Sequence, residues 1–148
     1  MPASDELPFA TTLLVRDTCW CLHAQRAARA LARRYDEALR PFGLTSGQFS
    51  LLMSLNRPRP PSIGEVSALL AMDRTTLTSN LKPLERRALL EVVTGVTDRR
   101  IRLLRLMPAG RAALIAAMPA WQRTQATIGA MLGKTHPDRL RQQLRDLS

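Results

Sequence analysis

Between about Leu13 and Phe42, apolar or small residues recur at Cys21, Ala24, Ala28, Leu31, Tyr35, Ala38 and Phe42. These steps of three and four put one stripe along a 3.6-residue helix, so the pattern predicts a long amphipathic helix. Arg26, Arg29, Arg33, Arg34, Asp36, Glu37 and Arg40 fall on its other faces, and Pro41 and Gly43 stop it. Thr45 and Gln48 then stand in the T-x-x-Q spacing of a capping box, and Phe49, Leu52, Met53 and Leu55 form the buried side of a short helix. Asn56 to Pro61 contains three prolines and reads as a rigid connector.

Ser62 and Glu65 repeat the capping-box spacing before a helix whose inward residues are expected to be Ile63, Val66, Leu69 and Leu70. Asp73 caps another helix only a few residues later. Two short helices joined by a tight turn at Ala71, Met72 and Asp73 have the spacing of a helix-turn-helix. Past Leu90 the period changes. Glu91–Thr94 and Arg100–Leu106 are β-prone, with a turn over Gly95 to Arg99 between them. Pro108 opens a second long helix with apolar residues at Leu114, Met118, Trp121, Ile128 and Leu132, expected to kink at Pro119, and Pro137–Leu147 forms a last short one.

The fold class is therefore mainly α with a small β-hairpin. It is expected to be a single domain over 1–148, with a winged helix-turn-helix region over 45–106 between helical segments over 10–42 and 108–148. No stretch reaches the roughly 18 apolar residues of a membrane span. The start of the chain, with Asp5 and Glu6, lacks the order of a signal peptide. A cytoplasmic protein without a membrane partner is the expectation. Cys19 and Cys21 are too close for an ordinary structural disulfide on a helix and lack metal-ligand spacing, which fits a reducing compartment. No metal, cofactor or catalytic residue is predicted.

Charge changes this picture from architecture to partner. The net charge is +10, carried almost wholly by arginine, with Lys82 and Lys134 the only lysines. That suits a polyanion, although a basic surface alone would read the same way. The layout is more telling. Counting 100° per residue from Leu77, Leu81, Leu84 and Ala88 share the core side, while Thr75, Ser79, Lys82 and Arg86 lie opposite. Small hydroxyls followed by cations, with no acid among them, let a helix enter a groove and meet phosphates at its ends. Arg74, Thr76 and Thr78 join the candidate DNA contacts, and Pro83 is expected to kink the last turn. At the hairpin, Arg99 or Arg100 is the candidate minor-groove or phosphate contact. Asp98 would repel phosphate, so its expected task is to orient Arg100 or a neighbouring guanidinium.

These residues resemble the MarR (multiple-antibiotic-resistance regulator) family over nearly the whole chain from about Thr18. The resemblance rests on Leu39–Thr45 with Gln48, Ile63–Asp73, Arg74–Leu81, and Asp98 to Arg100 running into Leu106–Gly110. The D-x-R wing followed by L-T-x-x-G is its most specific signal, with Pro108 read in place of the usual threonine. The resemblance implies a non-enzymatic regulator of transcription. It further implies a homodimer, joined through dimerisation helices over 10–42 and 108–148, on double-stranded DNA with an inverted-repeat operator, released by a small aromatic or phenolic effector. Trp20, His23, Phe49 and Met53 could line the effector crevice, with Arg26 as anion partner. In the hydroperoxide-sensing branch of the family a cysteine is held by tyrosines. Cys21 and Tyr35 fall at the cysteine and the first tyrosine, and Ser46 takes the place of the second. A peroxide-sensing repressor, or an architectural nucleic-acid-binding protein without operator choice, are the alternative functions. A thiol peroxidase would have one nucleophile and no evident base.

Overall fold

Two long helical stretches flank a block of short helices and a hairpin. The computed structural model describes residues 6–148; Asp5, weighed above at the start of the chain, lies outside them. The elements run α1 (Phe9–Thr18), α2 (Trp20–Leu39), α3 (Ser46–Ser54), α4 (Ile63–Leu69), α5 (Arg74–Arg86), β1 (Leu90–Thr94), β2 (Arg102–Leu106), α6 (Pro108–Met131) and α7 (Pro137–Asp146). The architecture is mainly helical with one two-stranded antiparallel hairpin, as the pattern predicts. No helix among the described residues is long and apolar enough to cross a membrane.

The first helix differs from expectation, because it is two helices. Thr18 donates its hydroxyl to the Leu14 carbonyl at 2.7 Å, and Cys19 takes an extended backbone at φ −70°, ψ 112°. A side chain bonding its own preceding turn competes with the helical ladder there. The apolar seam of α2 is also only partly buried within the chain. Tyr35, Ala38 and Phe42 are half-buried, whereas Cys21, Ala24, Ala28 and Leu31 are exposed.

Both capping boxes form. Thr45 Oγ1 accepts the Gln48 amide at 3.2 Å while Gln48 Oε1 accepts the Thr45 amide at 3.1 Å. Ser62 and Glu65 make the same reciprocal pair at 3.1 and 2.7 Å. Two of each helix's orphan donors are thereby satisfied, which sets where α3 and α4 begin.

The stops of α4 and α5 share one device. Met72 donates to the Ser67 carbonyl at 2.9 Å and Ala71 to Ala68 at 3.2 Å; Leu89 and Ala88 repeat this onto Leu84 and Glu85 at 3.0 and 2.9 Å. These paired bonds are Schellman ends, which place one residue in the left-handed region. That residue is alanine both times, Ala71 at φ 50° and Ala88 at φ 55°.

Ala88 is consequently exposed and off the core side assigned to it, since the helical angle no longer applies beyond Arg86. Leu69, expected inward, is 61% exposed. Val66 centres the buried face of α4, and Ile63 and Leu69 lie about 60° to either side of it, so only one flank meets the core. Both internal prolines are carried: α5 continues past Pro83 to Arg86, and α6 past Pro119 to Met131.

Leu77, Leu84, Leu104, Leu39 and Leu52 are fully buried, joining α5, β2, α2 and α3 in one core. The hairpin pairs Leu90 with Leu106 and Val92 with Leu104. It is anchored to the start of α4, where Leu104 donates to the Pro61 carbonyl at 2.8 Å and Ser62 bridges Leu103. The cap position of α6 is Met107, which makes no side-chain cap, and Pro108 is the first helical residue. Pro108 thus opens the helix as expected, and the cap position before it is the one without a side-chain bond. Gly110 has a separate reason: a Cβ there would stand 2.1 Å from the Leu89 carbonyl oxygen.

Candidate nucleic-acid interface

Helix α5 is held from one side only. Leu77, Leu81 and Leu84 are buried, while Arg74, Thr75, Thr76, Thr78, Ser79, Lys82 and Arg86 are all exposed. The helix starts at Asp73, whose Oδ1 accepts the Thr76 amide at 2.8 Å and whose Oδ2 accepts the Thr76 hydroxyl at 2.7 Å. Those bonds, the backbone one first, hold the Asp73 carboxyl below its ordinary pKa.

The hydroxyls are not equivalent. Thr76 gives its proton to Asp73, and Thr78 gives its own to the Arg74 carbonyl at 2.8 Å. Among the described residues, Thr75 and Ser79 make no such side-chain bond, so their donors face solvent. Lys82 and Arg86, one and two turns further on, enter no ion pair among the described residues. The row therefore offers free donors first and uncompensated cations afterwards.

The wing tip folds back on itself. Gly95 donates to the Ile101 carbonyl at 2.9 Å, and a Cβ on Gly95 would stand 2.6 Å from the Asp98 carbonyl oxygen. Asp98 receives the Arg100 amide at 2.9 Å, and its two oxygens take the Arg100 guanidinium at 3.2 and 3.3 Å. These bonds, the side-chain one first, lower the Asp98 pKa. The Arg100 side chain is almost wholly exposed, so the pair fixes a direction more than it adds stability. Arg99 is exposed beside it and unpaired among the described residues.

Between the wing and the helix-turn-helix lies an open cleft of about 480 Å³, lined by Ser62, Gly64, Arg74, Thr78, Arg100 and Arg102 among others. Arg102 is not among the contacts expected from sequence, although its two-residue spacing from Arg100 puts both on one side of an extended chain. Its guanidinium donates to the Thr94 hydroxyl across the ladder at 3.1 Å.

The five candidate effector residues are not gathered into one site within a single chain. Trp20, His23 and Arg26 are exposed on α2, with His23 Nδ1 2.8 Å from the Cys19 carbonyl oxygen. Phe49 is buried and stacks on Trp121 at a centroid distance of 6.2 Å. Met53 lines a different cavity of about 300 Å³ with Asn56, Arg111, Leu114, Ile115 and Met118. Arg111 donates to Asn56 at its mouth at 2.7 Å. The sequence reading missed Arg111, whose only signal is a lone cation one turn before Leu114.

Cys21 and Tyr35 are also apart. Fourteen residues of α2 separate them, about 21 Å of helical rise. The Cys21 sulfur accepts a bond from the Gln25 amide at 3.2 Å. The Tyr35 phenol donates to Gln125, and burial raises its pKa. A tyrosine holding this thiol could only come from another copy of the chain.

No family model matches the sequence. The HTH-type transcriptional regulator YwoH of Bacillus subtilis (strain 168) is 37% identical over 60 residues, which are 40% of this chain and 44% of YwoH, so the match spans less than half of that relative. Among solved structures, the M. tuberculosis transcriptional regulator MosR in complex with DNA is 39% identical, with a TM-score of 0.80 over 88% of this chain and 93% of MosR. A mutant MarR from E. coli complexed with operator DNA is 20% identical with a TM-score of 0.80 over 91% of this chain and 97% of that one, and shares the fold.

Proposed function

Because the chain belongs to the MarR family of winged helix-turn-helix transcriptional regulators, we propose that it is a double-stranded-DNA-binding repressor. It works as a homodimer that sets two copies of α5 into successive major grooves of an inverted repeat. The observation that carries the reading is the one-sided construction of α5, with a leucine face in the core and an exposed face that changes from free hydroxyl donors to unpaired cations.

Roles follow from chemistry. Thr75 and Ser79 read base edges, because their donors are not spent inside the protein. Thr76 and Thr78 can offer only an oxygen and a methyl group. Lys82, Arg86 and Arg99 meet phosphates, and Asp98 holds Arg100 toward the backbone or minor groove. Lys82→Ala and Arg86→Ala should weaken binding to all duplexes and flatten the salt dependence, while Thr75→Ala and Ser79→Ala should change the preference among bases. Equal losses on operator and random DNA for all four variants would reject base reading and leave an architectural binder.

The effector reading is supported by the cavity at Met53 and not by Trp20, His23 and Arg26 as a group. An apolar floor of Met53, Leu114 and Met118 with Arg111 at its mouth suits a small aromatic anion. A second reading, oxidation at Cys21, rests on the exposure of that thiol within a single chain. Peroxide titration of DNA complexes separates the two: wild type and Cys21→Ser releasing DNA alike would exclude the thiol.

A further inference from the structure

Gly64 is the second residue of α4, in ordinary right-handed helical backbone. Nothing in its backbone asks for glycine, which is a poor helix former. The reason is a neighbour. A Cβ on Gly64 would stand 2.9 Å from Arg74 Nη2 and 3.8 Å from its Cζ, so one end of the guanidinium of the first α5 residue lies where any other side chain would begin. Resting there, Arg74 reaches into the cleft of about 480 Å³ whose other side carries Arg102 and Arg100.

Arg100 is compensated by Asp98, but among the described residues Arg74 and Arg102 enter no ion pair. Thr94 accepts one Arg102 N–H at 3.1 Å and fixes its course along the wing. Two guanidiniums converging on one cleft without a carboxylate repel each other until an anion enters between them, and a phosphate oxygen pair matches their planar donors.

We propose that this cleft seats one backbone phosphate of the DNA between Arg74 and Arg102, and that Gly64 is a positioning residue that keeps Arg74 in reach of it. The inference rests on the reading that α5 docks on duplex DNA. It adds a contact independent of base sequence, and a role for a residue that touches no nucleic acid.

The test uses the full chain and a random-sequence duplex, with Gly64→Ala, Arg74→Ala, Arg102→Ala and the double variant Gly64→Ala/Arg74→Ala. Because the clash is with the far end of a flexible side chain, Gly64→Ala should melt no lower than wild type, and alanine's better helix propensity should raise the melting temperature. It should nevertheless bind DNA roughly tenfold more weakly. The slope of log affinity against log salt should fall by about one. Adding Gly64→Ala to Arg74→Ala should cost nothing more, and Arg102→Ala should lower the slope by a similar step. Wild-type binding by Gly64→Ala, or a further loss in the double variant, would overturn the positioning role. If Gly64→Ala is silent while Lys82→Ala and Arg86→Ala weaken binding, only this inference fails; if all of them bind as wild type, the docking of α5 fails with it.

Discussion

The reader between Thr45 and Leu106 and the helical ends of the chain solve burial in opposite ways. In the reader, short helices α3, α4 and α5 bury apolar residues, leucines on α3 and α5 and Val66 on α4, in a core that reaches 0% exposure at Leu52, Leu77 and Leu104, and point their polar faces to solvent. Helices α1 and α7 bury no residue at all, and leave Phe9, Leu14 and Leu144 more than half exposed. In the proposed homodimer a second copy wrapped on α1, α2 and α7 would cover these faces. The reader is thus complete within one chain, while the proposed spacing of two readers is a property of the ends.

The contrast breaks most visibly at the ends. Leu14→Glu with Leu144→Glu should loosen the proposed homodimer by ~100-fold or more, because each leucine contributes about 1.5–3 kcal/mol when covered. Sedimentation equilibrium reads the change, and a dimer unaffected by both substitutions would place the interface elsewhere. Where the reader joins α6, the largest effect is expected at Gly110. A Cβ there meets the Leu89 backbone carbonyl at 2.1 Å, which cannot swing aside. Gly110→Ala should cost about 4 kcal/mol or more and melt the hairpin junction first, seen as loss of amide protection at Met107.

A smaller change should go the other way. Ala88→Gly relieves a left-handed alanine and should raise stability by up to about 1 kcal/mol, checked by thermal melting. Acid should produce the smallest effect. The carboxyls of Asp73 and Asp98 have lowered pKa values, through the Thr76 amide and the Arg100 side chain first. Their folded values lie below the unfolded value of about 3.9, so their contribution is complete above that pH and is lost as pH falls through the lower folded value. Amide shifts of Thr76 and Arg100 should therefore stay flat from neutrality to about pH 5 and move only below about pH 4.

What could be read from sequence follows from where the physics is local. Thr45 with Gln48 and Ser62 with Glu65 announce their helices because a cap needs particular residues at fixed spacing. The matching stops were partly hidden. Gly43, at φ 69°, marks the turn after α2, and the cap residue Asp73 marks the turn that holds Ala71, but the left-handed Ala88 ending α5 carries no turn signal. That is why Ala88 was assigned to a core it does not join. The break at Cys19 was invisible for a similar reason, since Thr18 and Cys19 are tolerated inside a helix.

In the site, the outward row of α5 was legible from period alone. The division of its hydroxyls into spent and free was not, because it depends on the Asp73 and Arg74 oxygens. Nor was the cleft, which brings Gly64, Arg74 and Arg102 together from three elements. The separation of Trp20, His23 and Arg26 from Met53 is tertiary in the same sense.

The central claim is that a dimer of this chain uses paired α5 helices to choose its DNA. Its most direct test is the affinity of the full-length protein for an inverted-repeat fragment recovered genome-wide, against random duplex at physiological salt, with the bound stoichiometry measured together. Two chains per repeat and a preference of roughly 10³-fold or more are expected. Equal affinity for both duplexes, or a single chain bound to the repeat, would contradict it.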